Sequence, residues 1–189
     1  MIKDKFRNKM THRIFTAIRI KPNQEIRNLI KYLSKFNSTK TVEPENLHLN
    51  LKFLGEVKER ELEKAKKAIK KLRGFGEFKA ELSGTGAFPN KGYIKVIWIG
   101  VKTKEQEINK LARKTEKIYI DKEFQKRDKE YKPHITVARV KTKPDKKIRE
   151  VFDKYDKTYK EIKIDEVELI ESELTKKGPI YKTIEKVKL

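Results

Sequence analysis

Three histidines occur in the 189-residue chain, and two of them stand in matching strings, His48-Leu-Asn-Leu51 and His134-Ile-Thr-Val137. On an extended strand, side chains alternate between faces. That rule sets His48 beside Asn50 on one face and Leu49, Leu51 and Phe53 on the other. It likewise sets His134 beside Thr136 and turns Ile135 and Val137 inward. Each strand then presents one imidazole and one uncharged hydrogen-bonding group. Imidazole titrates near pH ~6.5, so of two converging imidazoles one serves as base and the other as acid at neutral pH. The Asn amide and the Thr hydroxyl donate to non-bridging phosphate oxygens and hold the group in line. The set suits phosphodiester cleavage, in which an attacking oxygen loses a proton and a departing oxygen gains one. Two histidines without a clustered third ligand do not make a metal site, so neither metal nor cofactor is expected. His12, next to a basic tail, reads as a surface or hydrogen-bonded histidine.

The elements that must carry these strings follow from periodicity. Arg13–Ile20 reads as a strand, and Pro22 opens a helix with apolar residues at Ile26, Leu29, Ile30, Leu33 and Phe36. A half-buried strand spans Leu47–Leu54 and is expected to stop at Gly55. Leu62, Ala65, Ile69 and Leu72 mark a second helix closed by Gly74. Strand Phe78–Leu82, a Gly-rich turn Ser83–Gly86 and strand Tyr93–Val101 follow, with Pro89-Asn-Lys-Gly92 predicting a hairpin turn. Ile108, Leu111 and Ile118 mark a third helix. A charged loop (121–130) leads into strand Pro133–Val140, and Pro144 opens a helix through Ile148, Val151 and Phe152. Tyr159–Leu174 and Ile180–Val187 read as strands flanking a Gly178-Pro179 turn. His48 and His134 lie 86 residues apart, close to half the chain. That spacing predicts a duplicated α+β unit whose His-bearing strands face each other across a pseudo-two-fold axis. Residues 1–12 read as a basic N-terminal extension, and residues 13–189 as one bilobal domain with pseudo-two-fold halves.

Composition narrows the function classes. Lys and Arg number 49 against 28 Asp and Glu, a formal net charge of +21, with 41% charged and 36% hydrophobic residues. Such a surplus attracts polyanions, nucleic acid first. With no cysteine, disulfide frameworks, thiolate metal sites and Cys nucleophiles are excluded. No apolar run approaches the ~20 residues of a membrane span, and Met1–Met10 lacks a secretory pattern. A cytoplasmic protein without membrane partners is expected.

His48-Leu-Asn-Leu-Lys-Phe-Leu-Gly55 and Pro133-His-Ile-Thr-Val-Ala-Arg139 resemble the paired H-x-T/S-hydrophobic motifs of the 2H phosphoesterases. Within these they are most similar to the RNA 2′,3′-cyclic phosphodiesterases, also called 2′-5′ RNA ligases. Pro44–His48, Gly84–Asn90, Val96–Val101 and Glu171–Tyr181 extend the likeness, which runs from about Arg13 to the C-terminus. The resemblance implies a bilobal α+β fold, with two mainly antiparallel sheets lining a central cleft and helices outside. It implies metal-free opening of a terminal RNA 2′,3′-cyclic phosphate to a 2′-phosphate, with reversible, ATP-independent 2′-5′ joining in some relatives. By position, His48 and His134 are the catalytic pair and Asn50 and Thr136 the phosphate anchors. Arg139 matches a family arginine that engages the phosphate. The expected partner is RNA ending in a cyclic phosphate, tRNA or tRNA halves among the candidates, and the expected state is a monomer. Asn50 stands where the family has Thr or Ser, so an altered rate or substrate choice is expected. Strict alternation points Arg139 away from His134, so it enters the cleft only through a bulge or from the strand end; a surface ion pair is the alternative. Tyr131 is a candidate base-stacking residue or a packed strand-edge tyrosine. An RNA-binding protein of this fold with little turnover is the competing reading.

Overall fold

A computed structural model of the chain describes residues 11–175 and 178–189. Most of the predicted basic extension therefore lies outside the described residues. His12 itself opens the first strand, β1 (His12–Arg19), a run of β-branched and aromatic residues that is buried through most of its length. Helix α1 (Gln24–Leu33) starts where the Asn23 side chain accepts a hydrogen bond from the Ile26 amide, and it buries Ile26, Leu29, Ile30 and Leu33 along one face. The short β2 (Thr39–Thr41) leads to β3 (His48–Val57), and α2 (Glu59–Ile69) follows. The long hairpin β4 (Phe78–Pro89) and β5 (Ile94–Lys102) precedes α3 (Glu107–Ile120) and β6 (His134–Val140). The chain closes with the four-residue α4 (Val151–Lys154), then β7 (Thr158–Ile164), β8 (Glu166–Thr175) and β9 (Gly178–Lys188).

The strands run in the order β7-β4-β5-β6-β3-β1-β8-β9, with β2 added to β6. The paired strands are antiparallel throughout. The two sheets expected from the sequence are present as β7-β4-β5-β6 and β3-β1-β8-β9. They are joined edge to edge by a single bridge, Leu49↔Ile135, so the hydrogen bonding formally continues as one sheet. The two histidine strands are therefore neighbours at this seam. The lobes also interleave along the chain. β8 and β9 return beside β1, while α1 packs on β6 and α3 on β3.

Four local expectations are corrected. Gly55 does not end its strand: it sits at φ +86° inside β3, opposite Ile14. Ser83–Gly86 is no turn but part of the continuous β4, where Gly84 at φ +70° is the unpaired residue of a bulge against β5. The stretch Tyr159–Leu174 breaks at Asp165, where the chain crosses from the partner of β4 to the partner of β1. The helix expected after Pro144 is mostly a 3-10 turn, Lys146–Glu150, ahead of α4. His12 joins elements, with Nδ1 2.9 Å from Glu171 and Nε2 3.0 Å from Glu59. No described helix is long and apolar enough to cross a membrane.

Gly86 has a packing role. A Cβ there would lie 2.2 Å from the Trp98 ring, so the bare backbone lets the indole lie across β4. Gly86→Ala is expected to lower stability by about 1–3 kcal/mol through overpacking and to change the emission of the chain's one tryptophan. Denaturant unfolding followed by Trp fluorescence checks both.

Candidate active site

The bridge at the seam sets the site. With Leu49 opposite Ile135 in antiparallel register, His48 falls opposite Thr136 and Asn50 opposite His134. Leu49 and Ile135 turn into the core. The other four side chains share the opposite face and line a cleft of about 1180 Å³. The four residues singled out in the sequence come together on one face, on adjacent strands rather than on facing ones.

Alternation then fails in both strands at the same distance from the histidine. In β3 the pairing jumps from Ala17↔Asn50 to Thr16↔Lys52, leaving Leu51 unpaired. In β6 it jumps from Trp98↔Thr136 to Ile97↔Ala138, leaving Val137 unpaired. Each bulge turns two successive residues inward, Leu51 with Lys52 and Val137 with Ala138. The residue five positions after each histidine is thereby returned to the cleft face. Arg139 lines the cleft for this reason, exposed and beside the anchors. The same shift overturns the expected burial of Phe53: it is 47% exposed in the cleft, with the Arg13 guanidinium 4.7 Å over its ring. Lys52 takes the buried place expected of Phe53.

The two imidazoles have matching surroundings. His48 Nδ1 lies 2.7 Å from the Asn46 carbonyl, and His134 Nδ1 lies 2.6 Å from the Lys132 carbonyl. A carbonyl only accepts, so in each neutral ring the proton sits on Nδ1 and Nε2 carries the lone pair. Aromatic rings flank both. Phe15 and Tyr181 stand 5.0 and 5.3 Å from His48, while Phe88 and Trp98 stand 4.8 and 6.2 Å from His134. Phe15, Tyr181, Ala17 and Ile170 form a small apolar cluster on the cleft side of the sheet, which seats the first ring. Burial pushes the His48 pKa below its ordinary value. The Asn46 carbonyl opposes that shift, while Arg19, His134 and Arg139 add to it. Burial also pushes His134 down, again opposed by its carbonyl and reinforced by Arg139.

Tyr131 also lines the cleft, but its hydroxyl donates to the Asn50 carbonyl at 3.1 Å and Arg127 covers its ring at 4.8 Å. Sequence reasoning missed the ion cluster behind it. Lys52, 4% exposed, donates to Glu116 at 2.8 Å and to the Gln125 carbonyl. Glu116 also accepts from the Arg127 amide and Nε, and Arg127 Nη2 donates to the Leu51 carbonyl at 2.7 Å. Burial opposes ionisation of Glu116, yet Lys52 and Arg127 hold its carboxyl below the ordinary range. Among the described residues, no group of three or more His, Asp or Glu gathers to hold a metal ion.

Paired imidazoles with free Nε2 atoms, flanked by an amide, a hydroxyl and a guanidinium, are equipment for acid–base chemistry on a phosphate ester. The chain belongs to the 2′-5′ RNA ligase superfamily, whose family model matches residues 20–176. An RNA 2′,3′-cyclic phosphodiesterase of Archaeoglobus fulgidus is 39% identical over 175 residues, covering 91% of this chain and 97% of that protein. One of Methanocaldococcus jannaschii is 36% identical, covering 91% and 98%. A crystal structure from Thermus thermophilus superposes with a TM-score of 0.76 at 31% identity, covering 94% and 97% of the two chains. E. coli LigT complexed with 3′-AMP superposes at 0.72 and 20% identity, covering 95% and 98%, which shows the shared fold.

The depressed imidazole pKa values give a sign for the pH profile. A general base must be neutral, so its pKa sets the acid limb; a general acid must be protonated, so its pKa sets the alkaline limb. Both lie below the ordinary ~6.5. The kcat/KM on a cyclic phosphate is therefore expected to peak below about pH 6.5 and to fall toward pH 8. A profile still rising between pH 7 and 8 contradicts this.

Proposed function

We propose that the chain hydrolyses the 2′,3′-cyclic phosphate at the end of an RNA to a 2′-phosphate, using protein side chains alone. One imidazole takes a proton from water at Nε2 as the water oxygen bonds to phosphorus. The P–O3′ bond breaks, and the other imidazole delivers its Nε2 proton to O3′. Charge on the non-bridging oxygens is met by the Asn50 amide, the Thr136 hydroxyl and Arg139, preorganised donors worth most where water is excluded. Phe53, 47% exposed in the cleft, offers a terminal base the part of its ring that Arg13 leaves uncovered; Tyr131, less exposed and with its hydroxyl bound to the Asn50 carbonyl, forms the cleft wall. An RNA 5′-hydroxyl in place of water joins two ends through a 2′-5′ bond by the same proton transfers.

The observation that carries the reading is the shared Nδ1–carbonyl lock on two imidazoles diagonal to one another across a single bridge. A protein that only holds RNA has no use for two matched lone pairs. Both imidazoles come from one chain, so the working unit is a monomer. The charge of +21 fits a polyanionic substrate such as a tRNA or a tRNA half, and the lack of any apolar span in the sequence fits a cytoplasmic enzyme. Acid and base act in one transition state, each contributing ~10²–10⁴-fold. His48→Ala and His134→Ala are each expected to lower kcat on an RNA cyclic phosphate by roughly that factor, and EDTA to leave the wild-type rate unchanged. Full activity in either variant, or chelated activity restored by one divalent ion, contradicts the mechanism.

A further inference from the structure

The segment 125–132 crosses the cleft as a strap whose attachment is ionic. On one side it lines the catalytic cleft; on the other, a second cavity of about 430 Å³ separates it from α3, bounded by Ala112, Arg113 and Glu116. Apart from Tyr131, which packs against the core, the residues of the strap are polar. Its ties run instead to three successive residues of β3: the Tyr131 hydroxyl to the Asn50 carbonyl, Arg127 Nη2 to the Leu51 carbonyl, and the Gln125 carbonyl to Lys52 Nζ. Those residues carry the phosphate anchor and the bulge. One carboxylate joins the ties, because Glu116 accepts from Lys52 Nζ, from the Arg127 amide and from Arg127 Nε. Between them buried Lys52 and half-buried Arg127 carry two positive charges against the single charge of Glu116, the carboxylate that pairs with both among the described residues. The strap exposes Lys126 and Lys129 at the cleft margin and Lys132 beside His134, interleaved with exposed Asp128 and Glu130, and its formal charge stays net positive.

We propose that Glu116 is the positioning residue of a basic strap that grips the RNA phosphates upstream of the reacting end. The inference rests on the phosphodiesterase reading for which end of the RNA enters the cleft. The strap reaches phosphates that a mononucleotide cyclic phosphate lacks. Its lysines act in register only while the ion cluster holds the arch over β3. In Glu116→Gln, a carboxamide retains one acceptor oxygen, and its NH₂ faces either Arg127 Nε or both Lys52 Nζ and the Arg127 amide, so at least one tie is lost.

The test reads binding and strap exposure, so it stands whether or not the wild-type protein turns over. Trypsin cuts after Lys126, Arg127 and Lys129 when the strap leaves its seat; Pro133 blocks the bond after Lys132. Glu116→Gln is expected to speed cutting within 125–132 at least tenfold, with Tm near wild type. It is also expected to weaken the affinity for a single-stranded RNA 12-mer ending in a 2′-phosphate about tenfold by fluorescence anisotropy. Affinity for the mononucleotide 2′-phosphate is expected to change by less than threefold. Arg127→Met leaves Lys52 and Glu116 as a balanced pair, so it keeps the fold should the first variant lose it, and it is expected to behave alike. A strap that stays protected, or equal losses for 12-mer and mononucleotide in the folded variants, overturns the proposal. Absence of wild-type turnover on any cyclic phosphate overturns the phosphodiesterase reading alone.

Discussion

The single bridge between Leu49 and Ile135 is the constraint from which the rest of the molecule follows. A five-stranded sheet and a four-stranded one meet there with one residue pair, and each strand then turns to other partners: β6 to β2 from Ala138 onward, β3 to β1 along its whole length. A fuller ladder would seal the seam into a continuous surface. One bridge lets the strands part and open a cleft, while it still fixes the register that puts each imidazole opposite the other strand's hydrogen-bonding residue. Core packing on the far face, through Leu49 and Ile135 and the helices of both lobes, holds the bridge in place.

The matched bulges at Leu51 and Val137 are the second element of the design. Each adds one residue to a strand and reverses which side chains face the cleft. In β6 the reversal delivers a guanidinium to the anchors; in β3 it delivers an aromatic ring to the cleft and a lysine to the interior. The two halves thus share geometry around the histidines and differ in what lies beyond them, cationic on one side and aromatic on the other. Burial of the two rings among Phe15, Tyr181, Phe88 and Trp98, together with the nearby arginines, keeps both imidazoles neutral more readily than in water.

Much of this was legible in the residues themselves. The H-x-N and H-x-T strings, their spacing and the alternating apolar residues point to the two histidine strands, to the four side chains that share one face and to the α+β class, because period-two patterning is a local property. Features that depend on pairing between distant segments were not legible. Phe53 was assigned to the core since nothing in its own strand reports the unpaired Leu51. Gly55 and Gly84 looked like strand ends because a positive-φ glycine in a bulge reads the same as one in a turn. The seam was read as two facing sheets because a one-residue bridge leaves no trace in periodicity. The Lys52–Glu116–Arg127 cluster joins residues 64 and 11 positions apart, and no local pattern links them.

The protonation pattern of the two rings tests the central claim most directly. The geometry requires the Nδ1–H tautomer in both His48 and His134, with Nε2 bearing the lone pair toward the cleft. Long-range ¹H–¹⁵N correlation spectra of ¹⁵N-histidine-labelled protein near pH 8 distinguish the tautomers by nitrogen shift. Assignment comes from His48→Gln and His134→Gln. The account predicts a pyrrole-type Nδ1 and a pyridine-type Nε2 for both residues, with a 2′-phosphate nucleotide moving the two Nε2 signals. An Nε2–H tautomer in either ring, or Nε2 signals indifferent to the nucleotide, would contradict it.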